Sequence, residues 1–377
     1  MNKVLKVFHK GEILSTGLII LYIIFTLVYQ QYMFNEVLKT NLITMFLGFL
    51  IVFNYITSAN FNLKNFRINK TTILAIVLII FVLINSFLIR HEILVGAIFS
   101  IIITGVIGKK INEFKSEPWL LLFPFWFLVF YIFMRLQINP SPSEIFLNSR
   151  NYVSFYLIIT VLPYYYVSLK NKKKYNSIPA FVTVFLCLYA LGRSGIVASI
   201  LILLAILLPR FNKKDRIKLF VSIILLLILF VSLSDFFLEE MSELNKFENV
   251  DNFLNDDGRS SIVSLYFQKM DFYSFLFGMD TVNQLSQVLA TYSHVHSSLL
   301  AFHSTVGIAS LLFFYHLYKK SKVFIKENLP LLFLLLALTI RASTDVGMLF
   351  AFFDYVFWMF LFYPFEIKKI KKIKKIK

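Results

Sequence analysis

Three of the six histidines fall within ten residues of one another, in "TYSHVHSSLLAFHSTVG" (291–307). Imidazole suits two kinds of chemistry: holding a divalent metal, and taking a proton from a hydroxyl near neutral pH. On a helix starting near Val295, His296 and His303 share a face but lie about 10 Å apart along the axis. One ion with bonds of roughly 2 Å cannot reach both. His294 and His296 are closer, yet no carboxylate or thiol cluster accompanies them. No metal site is expected. A general base remains open, and so does the plainer reading of polar residues at a membrane surface; His303 and His316 read as structural.

The other residues that could do chemistry are cationic. Arg193, in "ALGRSGIVASILILL", and Arg259, in "DDGRSSIVSLYFQKM", join these histidines, with Arg150, Asn151, Arg341 and Asp345 as a second tier. A guanidinium binds phosphate oxygens in pairs and stays charged at any relevant pH. Such groups gathered on one face suit an anionic ligand such as a diphosphate, although arginine also serves as an ordinary interface anchor. Acidic residues are nearly absent from the apolar runs, which argues against a proton relay or a cation pathway.

The elements that must position these groups are membrane spans. Of 377 residues 58% are hydrophobic and 16% charged, against roughly 25% charged in soluble domains. About 20 apolar residues cross a bilayer, which marks twelve spans: 13–29, 42–58, 72–89, 92–108, 117–134, 152–169, 175–191, 194–209, 219–234, 297–318, 329–341 and 346–364. The basic, then apolar, start lacks a small-residue cleavage site and reads as a retained first span. Cys187, the single cysteine, lies within a span, so disulfides and thiolate metal clusters are excluded.

Charge supplies an independent check. With the N-terminus inside, 29 of the 38 Lys and Arg fall in inner segments and 9 in outer ones, as the positive-inside rule requires. The expected fold is therefore an all-α polytopic membrane protein with both termini cytoplasmic. The same count divides 177–209 into two short spans hinged at Gly192-Arg193-Ser194-Gly195, which keeps Lys170–Lys174 and Arg210–Lys218 on one side. The net charge of +17 then reflects inner-face anchoring to anionic lipid, including the tail 365–377, and no nucleic acid is needed. One large loop, 235–296, lies outside. Within it Ile262, Leu265, Tyr266 and Lys269 fall on one helical stripe, and Asp256-Asp257-Gly258 reads as a turn or cap ahead of that helix.

Three blocks, in order, resemble the O-antigen polymerase and ligase family: "ALGRSGIVASILILL", "DDGRSSIVSLYFQKMDFYSFLFGMD" and "HVHSSLLAFHSTVGIASLLFF", with "NSRNYVSFYLIITVLPYYY" similar to an earlier Asn-containing block. The likeness covers roughly 145–320. Ser297 stands where that family usually has Asn, and Met279-Asp280 where a second glycine is frequent. The resemblance implies a glycosyltransferase C-like membrane fold in a bacterial cytoplasmic membrane. It implies glycan transfer from undecaprenyl diphosphate at the outer face, without cofactor or metal. Arg193 and Arg259 would bind the diphosphate, and His296 would be the general base with His294 as its competitor. Asn151, Arg150 and Ser297 would be candidates for substrate binding. Partners would be the lipid-linked glycan, membrane lipid and, as a further candidate, a chain-length regulator. A polymerase of repeat units (O-antigen or capsule) is the leading expectation. A ligase to lipid A core shares all three blocks, and a twelve-span flippase is the alternative of another class.

Overall fold

The computed structural model describes residues 10–32, 37–58, 69–92, 94–139, 141–142, 145–146, 150–211, 259–285, 295, 297–344 and 348–364. Runs of Ile, Leu, Phe and Val in lipid leave backbone amides no water to bond, so the chain satisfies them within helices. All regular structure among the described residues is helical. The helices are α1 (Lys10–Tyr32), α2 (Val37–Ser58), α3 (Lys70–Asn85), α4 (Val95–Asn112), α5 (Phe123–Ile138), α6 (Arg150–Lys170), α7 (Ile178–Tyr189) and α8 (Arg193–Leu207). There follow α9 (Arg259–Lys269), α10 (Phe272–Phe277), α11 (Thr281–Gln284), α12 (Ser298–Val306), α13 (Ala309–Glu327), α14 (Leu329–Thr344) and α15 (Tyr355–Leu361). A π-helical turn, Ser86–Arg90, extends α3, and 3-10 turns flank α5 and α8.

Among the described residues, five helical segments are long and apolar enough to cross a membrane: Lys70–Arg90, Val95–Asn112, Pro118–Ile138, Arg150–Lys170 and Arg193–Arg210. Shorter apolar helices, α7 and α14 among them, accompany these. The protein is an all-α membrane protein. Helix α6 is its central column, with every residue from Val153 to Leu169 buried. Outer helices turn large apolar side chains outward instead; on α5 these include Trp126, Phe130 and Phe133. In lipid such exposure is favourable, and the outward face needs no protein partner.

The long helices α3 to α8 alternate in direction. Thr71, at the start of α3, donates to the Leu361 carbonyl at 2.9 Å, and Asn112, at the end of α4, donates to the Phe362 carbonyl at 3.0 Å. Lys173 beyond α6 donates to the Lys115 and Ser116 carbonyls, each at 2.9 Å. Asn328 bonds the Leu169 carbonyl at 3.4 Å. These contacts collect 70–71, 112–117, 169–173, 328 and 361–363 at one end of the body. Helices α7 and α8 form a hairpin: Arg210 donates to the Tyr175 carbonyl at 3.2 Å, and the chain reverses at Ala190–Gly192 with Leu191 left-handed (φ 51°). The basic segments at 170–174 and 210 therefore share an end, as the charge count requires, with the reversal slightly ahead of the expected hinge.

Two apolar stretches are broken where composition is continuous. The stretch 297–318 divides at Gly307 into α12 and α13, and α13 runs on to Glu327. Of the stretch 346–364, the described residues 348–364 are α-helical only over Tyr355–Leu361. There the buried carboxylate of Asp354 accepts the N–H groups of Leu349 and Phe350 at 2.5 Å and of Ala351 at 3.0 Å, with Leu349 and Phe350 at positive φ. A carboxylate that claims three consecutive amides stops the helix from extending backward. The stretch 219–234, loop residues 235–258 and 286–294, and the tail 365–377 lie outside the described residues.

Candidate functional site

At the end opposite the lysine-rich one, three helices converge through polar contacts. Arg341, in the last turn of α14, is buried to 1% exposure. Its Nη1 donates to Ser194 Oγ at 3.1 Å and to Thr344 Oγ1 at 3.4 Å, and its Nη2 donates to the Asn151 carbonyl at 2.7 Å. The guanidinium lies 5.7 Å from the centre of the Phe155 ring, a favourable cation–π placement. Ser154 Oγ donates to the same Asn151 carbonyl at 2.9 Å. A Cβ on Gly195 would sit 2.3 Å from Ser154 Cβ and Oγ, so only glycine lets α8 approach α6 this closely. Sequence types alone put Arg193, Asn151 and Arg150 forward. The fold brings them together, with Arg341 as the fastener.

Arg193 is the first residue of α8, after Gly192 at its N-cap, and Arg150 and Arg259 open the described parts of α6 and α9. A helix N-terminus already carries about half a positive charge, so a cation there is in the unfavourable position. No acidic residue occupies the first turn of any of the three. Arg193 is exposed. Exposed cationic side chains added to helix N-termini raise the local positive potential, which an anion would neutralise.

The long loop is docked on the same end by backbone bonds. The Met279 N–H donates to the Ser304 carbonyl at 2.8 Å and the Ile308 N–H to the Leu276 carbonyl at 3.1 Å. Asn85 Nδ2 donates to the carbonyls of Phe277 at 2.7 Å and Ser304 at 3.2 Å. Gly278 (φ 93°) and Gly307 (φ 52°) make this possible. A Cβ on Gly307 would lie 2.2 Å from the Leu276 oxygen, and one on Gly278 2.4 Å from the Ser304 oxygen. The predicted stripe on α9 is observed in part: Ile262 and Tyr266 are buried, packing with Met279, Leu285 and Val295, while Lys269 is exposed. Burial pushes the Tyr266 hydroxyl well above its usual pKa, and nearby Arg90 acts in the opposite direction.

His303 is within hydrogen-bond distance of Tyr266, Nδ1 to Oη 2.7 Å, which fits the structural role expected of it. His316 Nδ1 sits 2.9 Å from the Leu312 carbonyl one turn back. Ser297 is buried at the N-cap of α12, one residue before Ser298, whose Oγ accepts the Met348 N–H at 3.2 Å. His294, His296 and Asp345 lie outside the described residues, and Arg259 is described as the start of α9. Asn85 and Asp354 are the polar groups that residue typing passed over. Their signal is available: each interrupts an apolar run, "VLINSFLI" and "AFFDYVF". No protein-family model, curated protein or solved structure matches this chain.

Proposed function

We propose that this chain is a polymerase of lipid-linked oligosaccharide repeat units, with twelve spans, both termini in the cytoplasm, and a site at the outer face of a bacterial cytoplasmic membrane. One observation carries the reading: the corner where Arg193 opens α8 beside Arg150 and Asn151 of α6, backed by Arg341. Cations at helix N-termini oppose stability and favour an anionic ligand. The donor would be a glycan on undecaprenyl diphosphate. An acceptor sugar hydroxyl attacks the anomeric carbon, the bond from that carbon to the diphosphate oxygen breaks, and the diphosphate leaves with the bonding pair. Arg193 and Arg259 stabilise the charge on the departing diphosphate, and His296 takes the hydroxyl proton, with His294 as the competing base. Membrane lipid surrounds the donor's tail.

Deletion of the gene tests this. A surface glycan collapsed to single repeat units supports polymerisation. Long lipid-linked chains accumulating with none on the core would replace it with a ligase, and units trapped on the inner leaflet with a flippase. For the site, Arg193→Ala, Arg259→Ala and His296→Ala at matched membrane levels should each shorten the chains. Wild-type chains from His296→Ala would overturn the base assignment in favour of His294.

A further inference from the structure

Helices α9 and α10 expose Phe267 at 59%, Phe272 at 71%, Tyr273 at 68% and Phe275 at 37%. For a solvated loop this is an expensive surface. The depth of the segment offers another explanation. The Phe277 carbonyl is bonded to Asn85, the last residue of α3 and five positions before the end of its π-helical extension at Arg90, up to about 7 Å inside the end of that segment. Phe87 and Leu88, nearer that end, are exposed at 62% and 59% on a helix apolar enough to cross a membrane. The hydrocarbon therefore extends past the level at which α10 is attached. On α12 the attachment is at Ser304, about 9 Å below the first residue of that helix.

Non-helical backbone at membrane depth requires that its polar groups be satisfied by protein. This segment meets the condition. The Leu276 carbonyl takes the Ile308 N–H, the Phe277 carbonyl takes Asn85, the Gly278 N–H reaches the Ser274 carbonyl at 2.9 Å, and the Met279 N–H reaches Ser304. Exposed apolar residues on both flanking helices, Phe87 and Leu88 on one and Leu311 and Leu312 on the other, continue the lipid-facing surface. Lys269 and Asp271, both exposed, mark the polar edge between α9 and α10.

We propose that α10 and the aromatic edge of α9 form a wedge seated in the lipid, so that Phe272 and Tyr273 contact the boundary between headgroups and acyl chains. Aromatic side chains favour that boundary. The inference rests on the membrane fold alone and stands whichever reaction the protein performs. The test uses the full chain with Cys187 replaced by Ser, carrying one spin-labelled cysteine at position 272, 273, 87 or 283. The protein is reconstituted in vesicles of phosphatidylethanolamine and phosphatidylglycerol. Labels at 272 and 273 should match 87, with high collision rates with oxygen and several-fold lower collision with a water-soluble nickel chelate than at 283. Nickel access at 272 and 273 equal to that at 283 would overturn the wedge, as would shielding that appears only when a glycan is added. A second measurement spares the native sequence: photolabelling by phosphatidylglycerol with an acyl-chain diazirine should mark the peptide covering 270–277, and its absence from that peptide counts equally against the proposal.

Discussion

The two ends of the helical body differ in where most of their cations are placed. At one end Lys170 donates to the Asn112 carbonyl, Lys320 to the Tyr363 carbonyl and Lys173 to those of Lys115 and Ser116. Each is a carbonyl beyond or at the close of a helix, where orphan acceptors and the negative dipole end welcome a cation. At the other end Arg193 stands first in α8, after its N-cap Gly192 and against the dipole, as Lys70 does in α3 at the lysine-rich end, while Arg341 donates to the Asn151 carbonyl from the last turn of α14. The comparison therefore turns on Arg193, a helix-opening cation one residue from the Ser194–Arg341 junction. Residues that oppose folding are expected where a ligand recovers the cost.

The largest test of that contrast is Arg193→Gln. On the proposed reading, loss of a preorganised cation at a departing diphosphate should lower polymer formation by about 10²–10³-fold, read as chain length at matched membrane levels. Thermal unfolding in detergent should occur at the same temperature or slightly higher, because an unfavourable N-terminal charge has gone. A variant that both unfolds earlier and stays active would reverse the assignment. Lys320→Ala is its mirror. A buried carbonyl left without its donor costs about 1–3 kcal/mol, so the unfolding temperature should fall, while activity per folded molecule holds.

Next comes the docking that holds the loop at the arginine-rich end. Gly307→Ala forces a left-handed backbone on a residue with a Cβ, which costs about 1–3 kcal/mol, and it adds a contact at 2.2 Å with the Leu276 oxygen. Both stability and activity should fall, and limited proteolysis should cut between 259 and 285 earlier than in the wild type. Tyr266→Phe removes only the bond to His303; the expected loss is about 0.5–1.5 kcal/mol. An unchanged unfolding temperature would show that apolar packing of Ile262 and Val295 alone holds α9.

Much of this contrast is legible in the sequence, and the illegible part has a common cause. Helices such as α3 and α6 follow from apolar runs of 18 residues, and the α7–α8 reversal follows from the side on which basic residues fall. Arg193 and Asn151 stand out by type. Their junction does not, because Arg341 reaches Ser194 across 147 positions and Asn151 across 190. The break at Gly307 is hidden for the same reason, whereas the one before Asp354 is local and is signalled by an acid within an apolar run. What interrupts the helix is a bond from Ile308 to Leu276 in the first case and a carboxylate turned back on Leu349 to Ala351 in the second.

The smallest test lies within the arginine-rich end itself. Asp271 is the N-cap of α10, and its Oδ1 accepts the Ser274 N–H at 2.7 Å. Here the charge at a helix start has the favourable sign. Those bonds to Ser274 hold the Asp271 carboxyl below its usual range. A group depressed on folding contributes stability above its unfolded pKa and loses that contribution as pH falls through the folded value. Asp271→Asn keeps a capping oxygen and removes the charge. It should lower stability slightly at neutral pH and flatten the acid limb of the unfolding curve below the ordinary carboxylate range. At neutral pH its sign should be the reverse of that for Arg193→Gln. If both substitutions shift the unfolding temperature in the same direction, helix-terminal charge does not account for the difference between the two ends.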